Sequence, residues 1–295
     1  MAHIFNLKKS KLDGTEKLFE RKKYATAVLP ATFDLRPECP AIYDQGNEGS
    51  CTANAGCAAR SMLAGDSSLY LSRAFQYYME RYLEGDTDED AGASMKDIGE
   101  AMKDYGVCLD ALMPYIDGDY TTAPTEEAKQ TALTYKITSA SMVEGIDGIK
   151  TALVVRNQPV LCGMAVYESM ENERVAKTGV LPMPKADEQI LGGHAVDIVG
   201  YIPTLSTETI EKLHPFLTKE IAGEMDKNDT CIEKLIEEII NILHKLKASG
   251  YFVVRNSWGA GWGDKGYFYM PYEYVKDGYA DEFWILESET AAKAK

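Results

Sequence analysis

Metal-ligand spacing is missing from this chain. Its six cysteines, at 39, 51, 57, 108, 162 and 231, form no C-x-x-C pair, and only four histidines accompany them in 295 residues. Zinc-type spacing is therefore absent, and neither a structural metal nor any other cofactor is expected. Positive charge is scarce: 31 Lys and Arg face 46 Asp and Glu, a formal net charge of −15. Contact with a phosphate backbone needs clustered cations, so a nucleic-acid partner is excluded. No uninterrupted apolar run approaches the ~20 residues of a membrane helix, and the N-terminus carries lysines but no signal-peptide core. The expectation is a protein without membrane contact, in an intracellular, cytoplasmic setting and with free thiols. Internal repeats and low-complexity tracts are absent as well.

What is present changes character along the chain. Residues 1–28 are polar, in places basic (Glu20-Arg21-Lys22-Lys23), and show no sustained periodicity, which predicts a partly ordered N-terminal extension. Small apolar residues from Cys51 to Leu63 predict a buried helix with Ser50 as N-cap. Helices are also predicted over Leu71–Leu83, rich in Tyr and Phe, and over Ser94–Tyr105, with Gly106 as its stop. The acidic run Glu84–Asp90 between them reads as a solvated loop. Further on, Tyr135–Ser139, Pro159–Val166, His194–Tyr201, Tyr251–Asn256, Gly266–Met270 and Phe283–Leu286 read as strands. A mainly helical lobe over 29–134 and a mainly stranded lobe over 135–290 predict an α+β fold with a site at their junction.

A helical insertion over 202–249 interrupts the strands. Within it, Thr230 and Glu233 form a capping-box pattern ahead of an apolar stripe running to Lys247. That stripe either packs on its own body or forms a homo-oligomer face.

Three segments carry chemistry. Gln45-Gly46-Asn47-Glu48-Gly49-Ser50-Cys51 sets a cysteine at a helix start, where the helix dipole favours the thiolate. Gly192-Gly193-His194-Ala195-Val196 supplies an acid/base, and Asn256-Ser257-Trp258-Gly259 a side-chain carbonyl able to orient the imidazole. Gln45, in a Gly-flanked loop, and the Cys51 N–H are candidate oxyanion donors. Cys57, Cys108 and Cys162 read as core residues, and His3, His214 and His244, which show no partner pattern, as surface residues.

Together with the later Gly-x-Gly-Trp-Gly-x-x-Gly-Tyr run, these motifs resemble the papain/cathepsin family of cysteine peptidases over roughly residues 29–290. His194 stands 143 residues after Cys51; Asn256 stands 205 after it, or 157 with the 48-residue segment 202–249 set aside. The signature spacing is about 130–150. The resemblance implies a papain-like two-lobe fold, with a helical left lobe, an antiparallel β-barrel-like right lobe and the active-site cleft between them. It implies Cys51 as nucleophile, His194 as acid/base, Asn256 as orienter and Gln45 in the oxyanion hole. It also implies Trp258 as a shield of the His–Asn bond, Gly92-Ala93 and Gly193 as substrate-backbone contacts, and a protein or peptide substrate. Leu29-Pro30 matches where mature members begin, so residues 1–28 are a candidate short pro-segment.

Departures from the pattern are equally visible. Glu48 stands where secreted members have a disulfide cysteine, Thr52 replaces an aromatic, and the Gly-Cys-x-Gly-Gly run is missing, as in a disulfide-poor, prokaryote-like version. Tyr279–Glu282 lines the main specificity pocket in a looser match, where Asp281 or Glu282 would favour basic groups. The implied activity is that of a cysteine endopeptidase. Its alternatives are a non-catalytic peptide-binding relative and an acyl transferase using the same nucleophile.

Overall fold

A computed structural model describes residues 3–224 and 249–288. Seven strands form one antiparallel sheet: β1 (Phe33–Asp34), β2 (Ser139–Met142), β3 (Val160–Tyr167), β4 (Ile190–Ile202), β5 (Tyr251–Arg255), β6 (Tyr267–Pro271) and β7 (Ala280–Glu287). Their order is β2-β7-β3-β4-β5-β6, with β1 on β4. β3, β5 and β6 are buried almost throughout, so both sheet faces are covered and the strands read as continuous apolar runs rather than alternations.

Helices α1 (Cys51–Leu63), α2 (Arg73–Glu84) and α3 (Met95–Asp104) pack together against β3, β4 and β7. Cys51, Ala55, Phe75, Met95, Ile98, Leu161, Ala195 and Trp284 share the apolar cluster between these helices and the sheet. A second cluster, including Ile149, Val160, Val196, Ile198, Phe252 and Phe268, fills the stranded part. It is covered by α5 (Gly145–Arg156) and α8 (Tyr272–Lys276). Among the described residues the remaining α-helices are α4 (Glu126–Ala132), α6 (Glu173–Thr178) and α7 (Thr207–Glu224). The fold is the α+β, papain-like one expected.

Local chemistry sets the boundaries. Ser72 Oγ accepts from Phe75 N (3.0 Å) to start α2, and Gly85, at φ 80°, ends it. Ser94 and Asp97 form a reciprocal capping box on α3. Ser50 departs from expectation. Its hydroxyl does not cap α1 but meets Tyr115 Oη at 2.6 Å and accepts from Asn54 Nδ2 at 3.1 Å. The strand expected over Tyr135–Ser139 also moves. Leu133–Tyr135 continues α4 as a 3-10 turn, and pairing with β7 begins only at Ser139. The expected helix Thr230–Lys247, its oligomer face and Cys231 lie outside the described residues. The described part of 202–249 contributes α7, which packs on α6 and buries Leu213.

Residues 3–28 are ordered along the body, contrary to the partial order expected. Lys17 and Phe19 exchange backbone hydrogen bonds with Met142 on the outer edge of β2 (2.8 Å each). A 3-10 turn follows at Arg21–Tyr24, and the chain reaches Leu29 through an exposed stretch in which Val28 is 88% accessible.

Candidate active site

The nucleophile candidate is the first residue of α1. Because the Ser50 side chain is turned to Tyr115 and Asn54, the leading N–H groups of α1 keep their positive field without a side-chain cap. β4 packs on α1 and brings the Ala195 backbone against the Cys51 sulfur. β5 ends at Arg255, directly opposite Asp197 of β4, and so delivers Asn256 beside His194.

Asn256 Oδ1 lies 2.8 Å from His194 Nε2 and accepts from Ser257 N at 2.9 Å. The backbone donor fixes which end of the amide is oxygen, so Nε2 carries the ring proton and Nδ1 presents a lone pair. Nδ1 is buried and has no hydrogen-bond partner. Trp258 stacks on the ring at 5.0 Å between centroids, where the resemblance expects a shield over the His–Asn bond.

Gln45 N donates to Ser257 O (2.9 Å), and its Oε1 accepts from Ser257 Oγ (2.6 Å). Its Nε2 donates to Glu48 O (2.9 Å), leaving the second amide proton for a ligand. Sequence reasoning passed over Ser257, which ties the glutamine loop to the asparagine; its place inside Asn-Ser-Trp was the available signal.

The N-terminal segment runs through this constellation as a strap. Leu7 N donates to Gly193 O (3.1 Å) and Lys8 N to Ala93 O (2.9 Å), the backbone groups expected to hold an extended ligand. A Cβ on Gly92, where φ is 71°, would sit 1.8 Å from Asn6 O, and one on Gly193 would sit 2.9 Å from Leu7 O. Only glycine lets the strap come this close. Phe5 presents its edge to His194 and Trp258, and Leu7 lies against Gly163 beside Met95 and Glu282.

The expectation for His3 fails here, and that for the acidic run, an exposed loop as expected, needs an addition for the same reason, a partner distant in the chain. His3 is no isolated surface residue. Its ring stacks on Trp258 at 4.0 Å and its Nδ1 meets Glu171 Oε1 at 2.8 Å. The acidic run also holds the strap: Lys8 pairs with Glu84 and with Asp86 (2.6 Å), and Asn6 Nδ2 donates to Asp90 O (2.9 Å). At Asp281 and Glu282, where the resemblance places the specificity pocket, Lys9 pairs with Asp281, and Ser10 N donates to the buried Glu282 (3.1 Å).

Under the strap, both Cys51 and His194 are fully buried. Burial pushes the Cys51 thiol up to about 12 and the His194 imidazole down to about 4. The dyad is neutral in this closed form. The five described cysteines are all free thiols, with Cys57, Cys108 and Cys162 buried, and no metal-ligand cluster exists among the described residues. No helix among them is long and apolar enough to cross a membrane.

A family profile described as papain family cysteine protease matches residues 29–212 and 223–283. The chain belongs to the papain family of cysteine proteases. An uncharacterised peptidase C1-like protein of Acanthamoeba polyphaga mimivirus is 32% identical across 98% of this chain and 88% of its own length. Xylellain, a cysteine protease from Xylella fastidiosa, superposes with a TM-score of 0.74 at 30% identity over 96% of each chain. Procathepsin B S9 from Trypanosoma congolense shares the fold at 17% identity, with a TM-score of 0.66 over 97% of this chain and 86% of its own. This papain-family member is thus a hydrolase acting on protein or peptide, and the family match begins at residue 29, where the strap ends.

Proposed function

We propose that this papain-family protein is a cysteine endopeptidase acting through a Cys51 thioester, and that residues 1–28 hold the full chain in a latent form. The observation that carries the reading is the His194–Asn256 contact at 2.8 Å with the amide oriented by Ser257 N. Once the strap leaves, water reaches both groups, and the burial that holds the thiol up and the imidazole down is relieved. The Cys51 proton passes to His194 Nδ1, and the thiolate attacks the substrate carbonyl carbon. The oxyanion is met by the Cys51 N–H and the spare Gln45 proton. The imidazolium then protonates the departing amine, leaving the thioester, and water activated by His194 releases the acid.

The path of the strap supports internal cleavage. It passes from Glu171 and Trp258, across His194, to Glu84 and Asp86, so an extended chain fits on both sides of the sulfur. Gly92, Ala93 and Gly193 would hold the substrate backbone as they hold the strap. The substrate reading follows the same contacts: an apolar side chain where Leu7 lies, with basic residues beyond it toward Glu84, Asp86 and Asp281.

A peptide library with an added amine acceptor tests this on a form starting at Leu29. Internal cleavage with free acid products, abolished by Cys51→Ala, is expected. Amide products would mark a transferase, and peptide binding without turnover a non-catalytic relative.

A further inference from the structure

At the junction of α1, α2 and α3 lies a buried acid that the mechanism does not use. Glu80 of α2 is 0% exposed. Its Oε2 accepts from Thr52 Oγ1 at 2.6 Å and its Oε1 from Gln76 Nε2 at 2.9 Å. Thr52 is the residue after Cys51 and is itself fully buried, so the acid grips the first turn of the nucleophile's helix. All its hydrogen-bond donors are neutral. The neighbouring Arg81 is turned away, donating to Thr87 O, Glu89 O and Tyr120 O and stacking on Tyr77. The other charged neighbour, Asp97 of α3, is of like sign, and no ion pair reaches Glu80 among the described residues.

We propose that Glu80 is a positioning residue for Cys51: as a neutral acid it anchors the α1 first turn through Thr52, and once ionised it opposes the Cys51 thiolate. This rests on Cys51 being the nucleophile. A charge here is costly because it is desolvated without a counter-ion, and burial pushes the Glu80 carboxyl up to about 8. On α1 the groups facing that charge are Cys51 and Cys57, and for both a negative Glu80 disfavours the thiolate. In the acidic to neutral range Glu80 is protonated and the helix N-terminus acts on the sulfur unopposed. Above that range the proton leaves to solvent, and two like charges compete for one buried junction.

The test is the rate at which iodoacetamide alkylates Cys51 from about pH 5 to about pH 9. It uses the full chain with the strap anchors replaced, Phe5→Ala and Leu7→Ala, with and without Glu80→Gln, which keeps an acceptor for Thr52 but cannot ionise. The expected ratio of variant to parent rate is near one at the acid end and rises to about threefold or more at the alkaline end. If Glu80→Gln does not fold, Thr52→Val takes its place. Loss of that hydrogen bond delays ionisation, so its rate exceeds the parent's only in the alkaline range. A ratio that stays constant with pH means a purely structural role and overturns the inference, leaving the peptidase reading intact. Failure of Cys51 to react at any pH overturns both.

Discussion

The strap and the body it crosses are built by different physics. The body buries apolar side chains in two clusters around one sheet whose strands are covered on both faces. Among the described residues of the strap, only Ser10 is buried as deeply as the core, at 8%. It holds on by backbone pairing to Gly193, Ala93 and Met142, by half-buried Phe5 and Leu7, and by lysines facing carboxylates. Each such contact stabilises weakly, while the body's apolar burial is continuous. A segment attached in this way can leave without unfolding what it covers. The proposed catalytic geometry, His194 to Asn256 and Gln45 to Ser257, is made wholly by the body.

Three changes break or sharpen this contrast. Removing both apolar anchors, Phe5→Ala with Leu7→Ala, acts most strongly. At about 1–1.5 kcal/mol per half-buried side chain, the closed form loses roughly 30- to 150-fold of its advantage. Epoxide labelling of Cys51 in the full chain should accelerate by that factor, while the unfolding transition of the body stays in place. Second, Lys8→Ala removes the pairs with Glu84 and Asp86. These are partly exposed, so about 0.5–1 kcal/mol, or roughly a 2- to 5-fold acceleration, is expected, and it should shrink as salt rises.

The third effect is on pH dependence. Burial depresses His194 to about 4, below its ordinary value of 6.5. The unfolded chain therefore takes up a proton between these values that the native chain does not, and the closed form loses stability as pH falls through that window. The slope is at most about 1.4 kcal/mol per pH unit. Glu48 and Glu80, raised to about 7 and about 8 by burial, act oppositely: they add stability as pH falls toward the ordinary Glu value. Both lie in the body, so subtracting the melting profile of a Leu29-start form from that of the full chain isolates the strap's effect on His194 above the ordinary Glu value, where the strap's Asp13 and Glu16 and the Glu287 paired with its Lys17 stay ionised in both forms.

Legibility in the sequence followed the same division. α1 is readable because small and apolar residues, interrupted by Asn54 and Arg60, run from Cys51 to about Leu63 and a Gly-Ser pair precedes them. The site was readable because Gln45, Cys51, His194 and Asn256 sit in short motifs whose chemistry is local. α5 was not read, because it opens on Gly145 and Gly148 and buries apolar residues on more than one face, so no clear stripe marks it. The strand expected at Tyr135 failed at a boundary that pairing with β7, not local preference, decides. The strap's contacts were illegible for a different reason. Leu7 and Gly193, or Lys8 and Asp86, find each other across the whole chain, and only charge complementarity and the Phe5/Leu7 alternation hinted at it.

The most direct test of the account is the rate of Cys51 inactivation by an epoxide of the kind that alkylates papain-like cysteines. It is measured side by side on the full chain and on a form starting at Leu29, with Cys51→Ala as control and peptide mapping of the adduct. A strap worth about 3 kcal/mol predicts a rate roughly 100-fold higher in the Leu29 form, with a single adduct on Cys51. Equal rates in the two forms would contradict the account, since the dyad would then be reachable with the strap in place.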